Sequence, residues 1–233
     1  MSERPALFLL PGLLCDRSVW TYQEQALSRD ADVTVANFYG FDSLGGMAQS
    51  VLEQAPERFA VAGHSMGGRV ALEIVRRAPE RVARLAVLDT GTHPKRPGEA
   101  EKRQVLVDLA RREGMEALAR QWLPPMVHPD RLNDAPMMRA LTEMVCRATP
   151  EIFERQVRAL LGRPDFGPLL PTIKCPTLVA CGRQDAWSPL DQHEAIAAAI
   201  PSATLAVIED SGHMTTVEAP AAVTGFLQAW LRV

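Results

Sequence analysis

The sequence contains no long apolar run and no excess of basic residues. Its apolar stretches are far shorter than the about 20 residues that a membrane-spanning helix needs. The 25 Lys and Arg residues are outnumbered by 28 Asp and Glu residues, which gives a formal net charge of -3. Such a chain has no basic field to attract nucleic acid or an anionic membrane. We therefore expect a small-molecule partner, with no nucleic acid and no membrane.

Cysteine is scarce, and its pattern indicates neither disulfides nor metal binding. The four cysteines, at positions 15, 146, 175 and 181, form no CxxC pair and have apolar neighbours. This pattern is typical of free thiols in a reducing compartment. The start of the chain also lacks the apolar region and small-residue cleavage site of a secretory signal. These features predict a cytoplasmic protein.

Sequence motifs for common cofactors are missing as well. There is no Gly-x-Gly-x-x-Gly for a dinucleotide and no Walker-type phosphate loop. No cluster of His, Cys, Asp and Glu has the spacing of metal ligands. We therefore expect no cofactor and no metal, so that catalysis would depend on side chains and backbone amides alone.

The sequence does contain a regular alternation of short apolar runs and helix-period segments. This alternation is typical of βαβ units and predicts an α/β fold with a six-stranded, mostly parallel sheet. Right-handed crossovers would place helices on both faces of the sheet. The predicted strands are 6–10, 33–38, 58–63, 84–88, 177–180 and 203–208, and the helices around them are 18–27, 43–54, 66–77, 190–200 and 217–231.

The strand rhythm is interrupted for about 75 residues after the fourth predicted strand. A connection of this length must contain structure of its own. The helices predicted within it are 99–112, 115–122, 137–147 and 150–161. We therefore expect a helical cap at 94–168, inserted between the fourth and fifth strands of a core domain formed by 1–93 and 169–233.

The most informative motif is Gly63-His64-Ser65-Met66-Gly67, between the third predicted strand and the following helix. A serine hydroxyl is a weak nucleophile until a base takes its proton. A strand-turn-helix bend with this spacing exposes the serine oxygen and places helix-start amides beside it. Glycine is required where a side chain would collide with neighbouring backbone. We therefore predict that Ser65 is a nucleophile.

The partners that a serine nucleophile needs follow two later strands. His213 comes after the sixth predicted strand and would act as the base. Asp185 comes after the fifth strand and would hold the imidazole in the required tautomer. Asp89, after the fourth strand, is an alternative acid, and we favour Asp185 because its Gly-x-x-Asp turn follows the penultimate strand, as the template of this triad requires. Parallel strands end at one edge of the sheet, so these loops are expected to lie together.

These segments resemble the α/β-hydrolase superfamily over essentially the whole chain. The stretches that carry the resemblance are 63–68, 175–185 and 211–220. The resemblance implies the α/β-hydrolase fold, a nucleophilic serine, a histidine base and an acid after the penultimate strand. It also implies a cap inserted before that strand.

The resemblance further implies an oxyanion hole made of two backbone N–H groups. One donor would be Met66, directly after the nucleophile and at the start of a helix. The other would be Leu13, in the loop after the first strand. Many relatives have His-Gly in this loop, whereas this chain has Pro11-Gly12. Proline cannot form the hydrogen bonds of an imidazole, so the contacts that hold this loop in place do not follow from the resemblance.

We interpret the chain as a carboxylesterase-like serine hydrolase that cleaves small carboxylic esters or lactones through an acyl-enzyme intermediate. The cap contributes apolar side chains, and we expect a modest, mostly apolar pocket. The candidate substrate-binding residues are Leu14, His93, Trp122, Met126, Met137 and Trp187.

Two alternatives remain. The same triad would serve C–C bond hydrolysis, enol-lactone hydrolysis or an elimination like that of menaquinone-pathway synthases. The position of Arg69, directly after Gly68, is similar to the pattern of these synthases. An acidic substrate would need a cationic anchor, although solvated helix faces explain most of the arginines. The candidate anchors are Arg69, Arg103, Arg120, Arg155, Arg158 and Arg163. The second alternative is a non-catalytic binding protein, which an intact triad disfavours.

Overall fold

Six strands form a central sheet in the computed structural model, which describes residues 4–232. The strands are β1 (Ala6–Leu10), β2 (Asp32–Val35), β3 (Phe59–His64), β4 (Val82–Leu88), β5 (Thr177–Gly182) and β6 (Ala203–Ile208). Their order is β2-β1-β3-β4-β5-β6, and every neighbouring pair is parallel. The loops that follow the strands therefore gather at one edge of the sheet.

The predicted sheet is confirmed, and only the ends of its strands differ. β2 stops at Val35 instead of residue 38, because it lies at the edge of the described sheet beside β1 and their pairing ends where Leu9 meets Val35. β5 continues two residues beyond the prediction, because Gly182 still pairs with Ile208 of β6. Strand length thus follows the neighbouring strand as much as the local sequence.

Helices cover both faces of this sheet. Within residues 4–232 the α-helices are α1 (Thr21–Leu27), α2 (Leu44–Gln54), α3 (Met66–Arg77), α4 (Glu99–Glu113), α5 (Met115–Trp122), α6 (Ala135–Cys146), α7 (Pro150–Leu161), α8 (Leu190–Ala199), α9 (Thr215–Glu218) and α10 (Pro220–Arg232). α2 packs against α3 and α1 packs against α10, and right-handed crossovers put these pairs on opposite faces. No helix in this part of the chain is long and apolar enough to cross a membrane.

Two predicted helices are wrong in their extent. The predicted helix 217–231 is two helices, because Pro220 has no backbone N–H to continue α9 and instead begins α10. The predicted helix 18–27 begins with a 3-10 turn, Arg17–Trp20, before α1. Asp16 caps this turn by accepting a hydrogen bond from the N–H of Ser18 at 2.8 Å.

The connection between β4 and β5 consists of α4 to α7, which pack against one another. The predicted cap boundary at residue 94 falls in the loop before α4, and the boundary at residue 168 falls in the 3-10 helix Gly167–Thr172. Residues 1–3 and 233, which were assigned to the core domain, lie outside the described residues. The loops of the sheet edge therefore meet four helices that come from a single insertion.

Candidate active site

Ser65 occupies a strained bend between β3 and α3. Its φ is 54° and its ψ is -115°, a conformation that costs a residue with a β-carbon about 1–3 kcal/mol. The N–H of Ser65 donates to the carbonyl oxygen of Leu88 at 2.8 Å, and its carbonyl oxygen accepts from the hydroxyl of Thr90 at 2.7 Å. The end of β4 and the loop after it therefore hold the bend in place.

Two glycines make this bend possible. A β-carbon at Gly63 would collide with the carbonyl group of Gly67, and a β-carbon at Gly67 would collide with the carbonyl group of Leu10 in β1. The obstructing atoms are backbone atoms of the bend and the sheet, which cannot move aside without breaking the strand pairing. Both positions therefore require glycine.

The side chains of Ser65, His213 and Asp185 form one hydrogen-bonded chain. His213 Nε2 lies 2.8 Å from Ser65 Oγ, and His213 Nδ1 lies 2.8 Å from Asp185 Oδ2. His213 follows β6 and Asp185 follows β5, so the common edge of the parallel strands brings the three together. In this arrangement the imidazole can accept the serine proton while the carboxylate holds the opposite ring nitrogen.

Asp185 is held as a carboxylate although it is buried. Burial by itself raises the pKa of a carboxyl group. The charge and hydrogen bond of His213 outweigh burial, together with the N–H groups of Ser188 and Trp187, which donate to Oδ1 at 2.9 and 2.8 Å. The pKa of Asp185 is therefore below its ordinary value. An ionised Asp185 stabilises the imidazolium form of His213.

Asp89 lies beside the same loops but has different partners. Its Oδ1 accepts from the N–H of Gly182 at 3.0 Å, and its Oδ2 accepts from the hydroxyl of Thr215. The side chain is fully buried, and burial, followed by the charge of Asp185, raises the pKa of Asp89 well above its ordinary value. The partners of Asp89 are thus a backbone N–H and a hydroxyl group, and Asp185 is the carboxyl group that contacts the imidazole of His213.

The loop after β1 lies against Ser65. A β-carbon at Gly12 would lie 3.2 Å from the β-carbon of Ser65 and 3.0 Å from Nδ1 of His64. Leu13 and Met66, the predicted oxyanion donors, both line the cavity beside Ser65. No backbone carbonyl among residues 4–232 accepts a hydrogen bond from either N–H group. Both amides are therefore available to a ligand, and Met66 adds the positive end of the α3 dipole.

A cavity of about 290 Å³ opens beside Ser65. The predicted substrate-binding residues that line it are His93, Met126 and Trp187. Trp122 lines a smaller adjoining hollow, whereas Leu14 and Met137 line neither. Leu14 is fully buried in the core, and its backbone N–H, in the loop after β1, donates a hydrogen bond to Gln156 Oε1.

One side of the cavity is strongly basic, in contrast to the mostly apolar pocket expected from the sequence. Its acidic lining residues are Glu99 and Asp89. The basic lining residues, which we call the cationic wall, are Arg69, Arg96, Lys102, Arg103 and Arg163. They come from α3, from α4 and the loop before it, and from the chain after α7, so no single stretch of sequence reveals the wall. Of the predicted anchors, Arg120, Arg155 and Arg158 do not line the cavity.

Arg69 is buried beside the cavity and has no carboxylate partner among residues 4–232. Its Nη1 donates to the carbonyl oxygen of His93 at 3.0 Å, and its Nη2 lies 3.5 Å from His93 Nε2. Burial, and then the charge of Arg163, lower the pKa of the Arg69 guanidinium. An anionic group on a ligand would offset the cost of burying this charge.

Arg163 is also buried, but Glu99 neutralises it. Its Nη1 and Nη2 donate to the two carboxylate oxygens of Glu99 at 2.8 and 2.6 Å, and Arg103 Nε donates to the same carboxylate at 2.9 Å. Burial opposes the ionisation of Glu99, but these donors outweigh it and lower its pKa to about 2. Because one carboxylate serves two arginines, the cationic wall keeps a net positive charge.

Glu218 is a residue of this site that the sequence analysis did not assign. Its Oε1 accepts from the N–H groups of Met214 and Gly212 at 3.0 and 3.1 Å, and its Oε2 accepts from the N–H of His128 at 2.7 Å. It thus holds the backbone on both sides of His213. The available signal was the Glu-Ala-Pro stretch after the histidine, which lies within the segment that carries the family resemblance.

Potential metal ligands are dispersed in the part of the chain that the structure describes. No group of three or more His, Cys, Asp or Glu side chains within residues 4–232 is placed to hold a metal ion. The four cysteines are free thiols, of which Cys15 and Cys181 are buried and Cys146 is exposed. The groups beside the cavity that can act on a ligand are therefore the hydrogen-bonded side chains of Ser65, His213 and Asp185, the N–H groups of Leu13 and Met66, and the cationic wall.

Residues 7–225 match the model of the Alpha/beta hydrolase family. A thermophilic esterase from Thermogutta terrifontis is 30% identical and superposes with a TM-score of 0.89, covering 99% of this chain and 90% of the esterase. The enol-lactonase from Burkholderia xenovorans LB400 is 25% identical with a TM-score of 0.90, covering 100% of this chain and 93% of the lactonase.

A similar sequence is the 2-hydroxy-6-oxononadienedioate/2-hydroxy-6-oxononatrienedioate hydrolase of Cupriavidus pinatubonensis. It is 30% identical over an alignment of 177 residues, which covers 72% of this chain. The match spans 61% of the length of that hydrolase. The similarity to this relative is therefore partial, whereas the similarity to the esterase and the lactonase extends over nearly the whole of both chains.

Proposed function

This chain belongs to the alpha/beta hydrolase family, and we propose that it is a serine hydrolase that cleaves small carboxylic esters or lactones. The observation that carries the proposal is the continuous hydrogen-bonded chain from Ser65 Oγ through His213 to Asp185. The esterase and lactonase similarities support the same type of reaction.

In the first half of the proposed reaction, Ser65 Oγ attacks the substrate carbonyl carbon while His213 Nε2 takes the hydroxyl proton. The electron pair of the carbonyl moves to its oxygen, which the N–H groups of Leu13 and Met66 stabilise. Asp185 stabilises the imidazolium that forms. The imidazolium then gives its proton to the leaving alcohol oxygen as the C–O bond breaks.

In the second half, water replaces the alcohol. His213 takes a proton from the water as its oxygen attacks the acyl carbon, and the same two amides hold the oxyanion. Collapse of this intermediate returns the proton to Ser65 Oγ and releases the carboxylic acid. A lactone would follow the same steps, with the alcohol still attached to the acyl group.

We also propose that residues 94–168 act as a cap over a core formed by 1–93 and 169–233. The support is that Met126, Leu160 and Arg163, all from this insertion, line the cavity beside Ser65. The cavity volume of about 290 Å³ suits a small molecule better than a long lipid. The partner of this chain would then be a small ester or related carbonyl compound.

The proposal is tested with p-nitrophenyl acetate and butyrate and with an organophosphorus serine reagent. We expect turnover of both esters and one covalent adduct on Ser65, detected by mass spectrometry. Ser65→Ala should abolish both, whereas Ser202→Ala, at an exposed serine outside the cavity, should change neither. Retained turnover in Ser65→Ala would overturn the assignment, and a wild-type protein that resists labelling would indicate a binding protein instead.

A second candidate function is favoured by the cationic wall. Its five basic side chains suit a substrate that carries a carboxylate, and one of them, the buried Arg69, has no carboxylate partner among residues 4–232. The same three side chains, Ser65, His213 and Asp185, would then catalyse C–C bond hydrolysis, enol-lactone hydrolysis or an elimination like that of menaquinone-pathway synthases. The enol-lactonase and the 2-hydroxy-6-oxononadienedioate hydrolase support this candidate as relatives.

Paired substrates separate the two candidates. We would compare p-nitrophenyl acetate with the p-nitrophenyl monoester of succinic acid, and then test an enol-lactone acid and a vinylogous diketone acid. A much higher kcat/KM for the acids would favour the second candidate. Equal values for the neutral and acidic esters would show that the cationic wall does not select the substrate.

A further inference from the structure

The loop after β1 contains a strained residue directly after the proposed oxyanion donor. The N–H of Cys15 donates to the carbonyl oxygen of Gly12 at 3.2 Å, which closes a turn with Leu13 and Leu14 at its centre. Leu14 has a φ of 59°, in the left-handed region that disfavours a leucine. Without a specific contact, the turn would relax to a conformation in which this φ is negative.

Gln156 of α7 provides that contact. Its side chain is completely buried, and its Oε1 accepts from the N–H of Leu14 at 2.8 Å. Its Nε2 donates to the carbonyl oxygen of Phe38 at 3.3 Å. Only one orientation of the amide satisfies both partners, because the first needs an acceptor and the second needs a donor. The glutamine is therefore locked at both ends.

The position of this contact matters for the oxyanion hole. The N–H that Gln156 binds belongs to the peptide between Leu13 and Leu14, at the centre of the turn. The Leu13 N–H lies in the neighbouring peptide plane, between Gly12 and Leu13, and the two planes are joined at the Cα of Leu13. Anchoring the Leu13–Leu14 plane therefore limits how far the Leu13 N–H can turn. Pro11 has no side-chain donor or acceptor that could hold the loop instead.

We propose that Gln156 is a positioning residue that keeps the Leu13 N–H aimed at the oxyanion, an inference that rests on the proposed serine hydrolase function. α7 also supplies Leu160 to the cavity wall, and Leu160 accepts a hydrogen bond from Arg163 of the cationic wall at 2.6 Å. The same helix of the insertion therefore positions both the oxyanion loop and one side of the substrate cavity.

The test uses an alkyl trifluoromethyl ketone, whose carbonyl carbon forms a bond with Ser65 Oγ while the hydroxyl proton moves to His213. The resulting alkoxide oxygen occupies the oxyanion hole, so the inhibition constant reports on the two amides. Gln156→Met keeps the size of the side chain but removes the acceptor. Gln156→Glu keeps an oxygen for the Leu14 N–H, and in its neutral form also keeps a donor for Phe38.

We expect Gln156→Met to weaken ketone inhibition and lower kcat for p-nitrophenyl butyrate by about tenfold to a hundredfold, with little change in KM. Gln156→Glu should lie nearer to the wild-type protein in both measurements. Circular dichroism melting shows that each variant is folded at the assay temperature. A merely structural role would lower the melting temperature without this selective loss of ketone affinity.

The possible failures can be told apart. A wild-type protein that neither hydrolyses the ester nor binds the ketone would contradict the proposed function itself. An active wild-type protein whose Gln156→Met variant keeps the same inhibition constant and kcat would overturn the role of Gln156 alone. A Gln156→Glu variant as weak as Gln156→Met would also count against that role, because it retains the acceptor.

Discussion

The backbone N–H of His213 donates a 2.7 Å hydrogen bond to the carbonyl oxygen of Met126. Met126 belongs to the insertion between β4 and β5 and also lines the cavity, so the insertion contacts the histidine loop directly. Glu218 adds a second link, because it binds the N–H of His128 as well as the histidine loop. A shift of this part of the insertion would therefore move the imidazole relative to Ser65.

Glu218→Gln is expected to lower kcat/KM about tenfold and the free energy of unfolding by about 1–3 kcal/mol. The carboxylate accepts from three backbone N–H groups, whereas an amide has one oxygen and would turn its NH₂ group toward a donor. Ester turnover and urea unfolding measure the two effects. Glu209→Gln is the control, because Glu209 is exposed and its ion pair with Arg183 lies at the surface. Unchanged turnover in Glu218→Gln would show that the loop does not need this carboxylate.

Asp185→Asn should reduce kcat by about two to four orders of magnitude, with a smaller effect on KM. An asparagine NH₂ group facing His213 Nδ1 favours the tautomer whose Nε2 carries the proton, and this nitrogen can no longer act as base toward Ser65. Steady-state kinetics on p-nitrophenyl butyrate measure the loss.

Asp89→Asn is the matched comparison for Asp185→Asn. Asp89 binds the N–H of Gly182 and the hydroxyl of Thr215, and burial raises its pKa well above its ordinary value, so we expect an amide of the same shape to keep activity within about tenfold of the wild-type protein. The contrast between the two variants decides which acid serves the imidazole. A loss in Asp89→Asn as large as that in Asp185→Asn would reassign the acid to Asp89.

Arg69→Met should raise KM for the succinate monoester about tenfold or more and leave p-nitrophenyl acetate nearly unchanged. The guanidinium is buried beside the cavity, and no carboxylate within residues 4–232 pairs with it, so its charge is available to the substrate. Arg120→Met, an exposed arginine of α5 paired with Glu116, should affect neither ester. An equal rise in KM for both esters would assign Arg69 to cavity shape instead of charge recognition.

Glu99→Gln should lower the free energy of unfolding at about pH 7 by roughly 2 kcal/mol. The pKa of Glu99 is about 2 in the folded protein and 4.5 ordinarily, so its ionised form stabilises the fold above pH 4.5. That stabilisation is lost as the pH falls toward 2. Urea unfolding from about pH 7 to about pH 3 should show the two proteins converging. Glu101→Gln, on an exposed position of α4, should differ by less than about 0.5 kcal/mol throughout.

Local sequence was sufficient for the sheet and for the bend at Ser65. Strands and helices differ in the period of their apolar residues, and the glycines around Ser65 mark a turn that few residues tolerate. Parallel topology then required the loops with Asp185 and His213 to share an edge. The predictions failed at the end of β2 and at Pro220, where pairing with β1 and a missing N–H determine the boundary.

The character of the cavity was not predictable in this way. Arg69 lies on α3 with the periodicity of an ordinary amphipathic helix, yet every residue from Met66 to Val75 is buried. The sequence does not show which basic side chains of α3, α4 and the chain after α7 converge. The same reason explains why Leu14 and Met137 were expected in the cavity and lie elsewhere. A side chain's surroundings depend on how distant segments pack.

The pattern of residues alone therefore specified an α/β sheet, its order of elements and three candidate catalytic side chains at the strand ends. Tertiary packing alone decided that Gln156 reaches Leu14 across 142 positions and that Glu99 is shared by two arginines. Periodicity reports which side of a helix or strand is apolar. Hydrogen bonds and charge pairs between distant segments form only when the fold sets their distance and removes water from between them.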